Sequence, residues 1–206
     1  MSTNHLWQLR PYSYADLLLL LAAAGADTGE AIGASLLWFG FLIHLEWRHH
    51  DVGRLPWPAW AWLVPWMGGA IILATPLIIP FFALAALYAL KKRFAVISAT
   101  SPLLNGALKV ALLLPLGGIS GALLAVVFFA ATARNFAGDL RDAAKDAAEG
   151  VATVPVLLGY TKATPYVYPL SLGATSALWT IWGNLPLWAL ATAWAVELAT
   201  YRLTPR

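Results

Sequence analysis

Between Arg54 and Lys91 the chain carries no Asp, Glu, Lys or Arg, and almost every residue in the interval is apolar or aromatic. A soluble domain of this size cannot bury such a stretch together with the rest of its apolar surface, so lipid must cover the surplus. Crossing a hydrocarbon layer of about 30 Å takes about 20 apolar residues as a helix. Gly and Pro divide the interval into two such runs, and the pattern recurs along the chain. Apolar runs near 14–26, 32–47, 58–73, 75–90, 95–115, 118–137, 164–183 and 186–203 predict an all-α, polytopic transmembrane bundle of about eight helices, a single domain over 1–206. Several runs are short, which requires tilt or helix ends that extend beyond the hydropathy signal.

Hydrophobic residues make up 60% of the chain and charged residues 11%, with a mean hydropathy of +0.70. The charges cluster. With a cytoplasmic N-terminus, alternate loops carry Arg10, then Arg48 and Arg54, then Lys91, Lys92 and Arg93, then Arg134, Arg141, Lys145 and Lys162, and finally Arg202 and Arg206. The opposite loops carry none, so twelve of the 13 basic residues fall on one side, Lys109 being the exception. This asymmetry matches the positive-inside rule and requires an even number of spans. It also accounts for the basic net charge of +3 without nucleic acid. The polar opening MSTNHLWQLRPY lacks a cleavable signal pattern, and the absence of cysteine excludes disulfides and thiolate chemistry.

Residues 134–159, RNFAGDLRDAAKDAAEGVATVPVLLG, carry the most chemical information. On a helix Asp139, Asp142, Asp146 and Glu149 lie at relative angles of about 0°, 300°, 340° and 280°, on one stripe. Like charges at these spacings repel, more so beside a low-dielectric layer. A divalent cation relieves the repulsion, and hard oxygen ligands favour Mg²⁺ or Ca²⁺; Mg²⁺ commonly bridges carboxylates to substrate phosphates. Pairing with Arg141 and Lys145 on a solvated loop helix is the alternative. Gly150 and Pro155 delimit the acidic helix, and Gly159 closes the short apolar segment after it.

The run Asp139-Leu-Arg-Asp142-Ala-Ala-Lys-Asp146, with Gly150, Thr153, Pro155 and Leu158-Gly159, resembles the second aspartate-rich motif of the UbiA superfamily of intramembrane prenyltransferases. Tyr88-Ala-Leu-Lys91-Lys92-Arg93 and Arg10-Pro11 resemble further family features, in the family's order. The resemblance implies a UbiA-like helical fold and Mg²⁺-dependent transfer of an isoprenoid from a prenyl diphosphate to a lipophilic acceptor. Asp139 and Asp142 are the implied catalytic residues. Asp139, Asp142, Asp146 and Asp51 are the implied metal ligands, and Lys91, Lys92, Arg93 and Arg141 the implied phosphate-facing cations. The family's first acidic motif is degraded here. At its place stands His44-Leu-Glu46-Trp-Arg48-His49-His50-Asp51-Val-Gly-Arg54, in which Asp51 alone keeps the register and Glu46 and His50 stand nearby. The chain is also short for the family.

Lys109 interrupts an apolar run, where a central cation costs about 2.5–3.5 kcal/mol on the insertion scale. Such a residue faces a cavity or snorkels to the interface. Asn105, four residues earlier, shares its face, and both are candidate substrate-binding residues. A non-catalytic UbiA-like subunit that binds lipid or pigment within a larger membrane complex is the alternative function, consistent with the degraded motif and the aromatic-rich surface.

Overall fold

The computed structural model describes residues 5–49 and 56–203, in which the regular structure is all helical, with no strand. A 3₁₀ turn, His5–Leu9, precedes α1 (Pro11–Ala23) and α2 (Thr28–His49). They are followed by α3 (Leu63–Leu73), a second 3₁₀ turn (Pro76–Ile78), α4 (Ile79–Tyr88), α5 (Ala95–Leu113) and α6 (Gly121–Ala148). The chain ends in the four-residue α7 (Val154–Leu157), α8 (Val167–Trp182) and α9 (Leu187–Tyr201). The helices arise where the apolar runs predict them, with ends displaced by a few residues.

One displacement matters for the site. The sixth apolar run and the acidic stretch after it form a single 28-residue helix, not a span followed by a separate loop helix. No Gly or Pro interrupts residues 139–148, and four alanines and a leucine favour the helix through them. Among the described residues three helices are long and apolar enough to cross a membrane: Thr28–Arg48, Ala95–Leu113 and Gly121–Ala148. The remaining five long segments have 10 to 16 residues and reach about 15–24 Å at about 1.5 Å per residue.

Successive helices reverse direction. Arg10 at the start of α1 reaches Glu46 near the end of α2, and Ser101 early in α5 reaches Asp139 late in α6. The densest contacts join α2 to α3, α5 to α6, α1 to α9 and α6 to α8. One apolar core runs through the molecule, with Leu17, Leu20, Leu37, Phe81, Leu108, Leu112, Val127 and Trp179 almost fully buried. Small residues bring backbones together where α2 meets α3. A Cβ on Gly40 would lie 2.2 Å from a Trp66 ring carbon, and one on Gly69 would lie 2.7 Å from the Gly33 carbonyl oxygen. Trp66 spans the same pair, its indole N–H donating to the Leu37 carbonyl at 3.0 Å.

Asp27 and Glu30, to which the sequence assigned no role, form a capping box at the start of α2. Asp27 Oδ1 accepts from the Glu30 N–H at 2.8 Å, and Glu30 Oε2 accepts from the Asp27 N–H at 3.0 Å. Glu30 Oε1 also accepts the Gly117 N–H at 3.2 Å, tying the α1–α2 turn to the α5–α6 turn.

Candidate functional site

The acidic end of α6 is shaped by how the helix stops. Gly150 adopts φ 69°, the Val151 N–H returns to the Asp146 carbonyl at 2.8 Å, and the Gly150 N–H reaches the Ala147 carbonyl at 3.3 Å. This is a Schellman ending, which needs a residue that tolerates positive φ. Four residues later Val154 starts α7, with Pro155 in its first turn, and Gly159, at φ 79°, ends it in the same manner. The two glycines of the motif thus fold the chain back beneath α6. Thr153, fully buried, then donates its hydroxyl to Asp146 Oδ2 at 3.3 Å.

The four acids divide. Asp139 and Asp146 turn inward and are 3% and 8% exposed. Asp142 is half-buried, and Glu149, which caps the helix end, is exposed. Each has a partner of its own. The Lys91 ammonium donates to Asp139 Oδ1 at 2.6 Å, with the Ser101 hydroxyl on Oδ2 at 3.4 Å. Asp142 is paired with Arg141, and Glu149 accepts from Lys92 at 2.7 Å. Burial opposes the charge of Lys91, but Tyr88 and the Asp139 carboxylate outweigh it and hold the ammonium above the ordinary lysine range. Arg93, the third cation of this turn, is exposed.

One helical turn before Asp139, the Asn135 amide donates to the Tyr88 hydroxyl at 2.8 Å, and its Oδ1 has no hydrogen-bond partner among the described residues. Beside it lies a small polar hollow of about 60 Å³, bordered by Arg10, Tyr12, Tyr88, Asn105, Arg134, Asn135 and Tyr168. Arg10 is held by Glu46 at 3.1 Å. Arg134 is held by Asp16 and donates to the Thr175 hydroxyl at 3.1 Å. Asp16, completely buried, also accepts from the Trp179 indole at 2.9 Å and the Thr175 hydroxyl at 2.8 Å. On the other side, Arg141 lies 4.6 Å over the Tyr168 ring and reaches the Tyr201 hydroxyl at 3.4 Å. Tyr168 stacks on Tyr201, with ring centroids 5.7 Å apart.

Asn105 lines this hollow, whereas Lys109 does not. Its ammonium is 1% exposed, sits 3.5 Å from the Trp38 ring centroid and makes no hydrogen bond to the described residues. A buried cation over an indole face is stabilised by the ring quadrupole, a role distinct from ligand binding. Asp51 and His50 lie outside the described residues. Glu46 is committed to Arg10, and His44 stacks on Trp62 at 4.6 Å while its Nε2 accepts from Arg48 at 3.2 Å. The sequence reading overlooked Asp16, although an acid inside an apolar run is itself the signal for an internal partner.

Among the described residues no three Asp, Glu or His side chains come together as a metal cluster. Asp139, Asp142 and Asp146 are engaged by Lys91, Arg141 and Thr153, and Asp51, the fourth ligand expected, lies outside the described residues. Of the four cations expected to face an anion, Lys91, Lys92 and Arg141 are paired with Asp139, Glu149 and Asp142, and Arg93 is exposed. Comparison with protein families, with characterised proteins and with solved structures finds no match.

Proposed function

We propose that this chain is a multi-pass integral membrane protein of UbiA-like design. Its N-terminus and acidic motif face the cytoplasm, and it binds a prenyl diphosphate at the acidic end of α6 and transfers the isoprenoid to a lipophilic acceptor. The observation that carries this reading is the inward turn of Asp139 and Asp146 onto Lys91 and Thr153, with Asp139 one helical turn beyond Asn135, which borders a small hollow shared with Arg10 and Arg134. A solvated loop helix would leave those carboxylates in water. In the reaction the bond from the allylic carbon to the diphosphate oxygen breaks, and charge builds on the leaving group. Fixed cations aimed at that charge lower the barrier. Lys91, Lys92, Arg93 and Arg141 are the groups this chain supplies for the purpose. Magnesium belongs to the reading through the resemblance alone.

A second reading, a non-catalytic lipid- or pigment-binding subunit, is favoured by a specific observation. Each acid of the stripe is already partnered, and the hollow of about 60 Å³ is far below the roughly 300–1,000 Å³ of small-molecule sites. One experiment separates the two. Purified protein in lipid nanodiscs is given geranylgeranyl diphosphate with and without magnesium, and pyrophosphate release is followed. Release that is lost in Asp139→Ala and Lys91→Ala supports transfer. No release in any condition, together with stoichiometric co-purification of other membrane subunits, supports the second reading.

A further inference from the structure

We propose that a groove between α8 and α9 is a binding site for a neutral long-chain alcohol, held by a hydrogen bond from its hydroxyl to Glu197. This rests on the membrane placement proposed above and not on diphosphate recognition. The groove has a volume of about 890 Å³, at the upper end of the range of small-molecule sites, and is distinct from the hollow beside Asp139. Its walls are apolar and aromatic. Leu170 and Leu198 stand 72% and 62% exposed on either side, and Trp194 crosses the gap, its indole N–H donating to the Gly173 carbonyl at 3.1 Å.

Glu197 lines this groove although it is only 4% exposed, and its Oε1 accepts the Ser176 hydroxyl. A carboxyl among apolar walls needs a hydrogen-bonding partner, and Ser176 occupies one of its two oxygens. Arg202, which is exposed, also lines the groove. The two groups select the head of the occupant. A phosphate or carboxylate would have to settle against Glu197, and an ammonium would have to share the groove with Arg202. A hydroxyl donates to the carboxylate, or exchanges hydrogen bonds with the carboxylic acid, and brings no charge to the arginine. Its chain then lies along Leu170, Leu198 and Trp194.

The test uses the full chain in phosphatidylcholine nanodiscs with a hexadecanol carrying a mid-chain diazirine, and with the matching acid and amine. Photolysis followed by peptide mapping should place the alcohol on residues 165–202. Excess farnesol should displace it, and the charged analogues should label about fivefold less, the weight of one net hydrogen bond. Glu197→Leu should lose the labelling, and Glu197→Gln, which still accepts a hydrogen bond, should keep it. Leu170→Trp, which fills the groove from its exposed wall without touching the core, should also lose it. Equal labelling by all three heads, labelling spread over the exposed faces of the other helices, or cross-links between two copies of the chain through α8 and α9 would each overturn the proposal.

Discussion

The α2–α3 pair and the contacts of α6 are both helix packings in apolar surroundings, yet opposite chemistry holds them. α2 and α3 approach through Gly33, Gly40 and Gly69, and one indole-to-carbonyl bond is the polar contact that joins them. α6 meets its neighbours through charges: Arg134 on Asp16, Asp139 on Lys91, and Arg141 across to Tyr201. Close backbone packing leaves little space between them, and His44 at their junction is taken up by its ring contacts with Trp62 and Trp66, so the first region serves as scaffold. Charge pairs keep the second region polar, leave a hollow beside it, and hold ionisable side chains at fixed positions. Candidate chemistry therefore lies along α6.

Removing one partner of the deepest pair should have the largest effect. Asp16→Ala leaves the Arg134 guanidinium buried without its anion and should destabilise the protein by about 3–5 kcal/mol, read from thermal unfolding in detergent. The double change Asp16→Leu with Arg134→Met should recover most of that loss, because a buried ion pair is often replaceable by apolar side chains. If the double variant is as unstable as the single one, α6 depends on its charges for more than their mutual neutralisation. Gly40→Val tests the other region. Its new side chain meets Trp66 and the Trp62 carbonyl, and overpacking of this kind costs about 1–3 kcal/mol, with no change in any ligand binding at α6.

Smaller effects sharpen the contrast. Asp139→Asn keeps the shape but removes the counter-charge of Lys91, and should cost about 1.5–3 kcal/mol while abolishing any pyrophosphate release. Equal turnover in this variant would remove Asp139 from the proposed reaction. Gly150→Ala strains a residue at φ 69° and should cost about 1 kcal/mol, loosening the turn that carries Thr153 to Asp146. Measured binding of a prenyl diphosphate should weaken with it. Replacing Asp27 by Ala removes half of the capping box, for about 1 kcal/mol, and should leave everything at the α6 end unchanged.

The sequence alone determined a good deal. Charge-free apolar runs located the long helices, because a run that must bury its backbone polar groups in an apolar setting has little choice but to form a helix. Gly150, Pro155 and Gly159 located the ends of the acidic segment, since positive φ and a missing N–H are properties of single residues. Periodicity put the four acids on one stripe. Only the tertiary structure decided which side of that stripe is buried, because a helical angle is relative and needs a neighbour to fix it. It placed Lys91 from the α4–α5 turn against Asp139, gave Glu149 to Lys92, and put Lys109 over Trp38 and away from the hollow. It also joined Asp16 to Arg134, across more than a hundred residues of chain. Pairings of that kind depend on how the helices pack together, and the local sequence does not encode that packing.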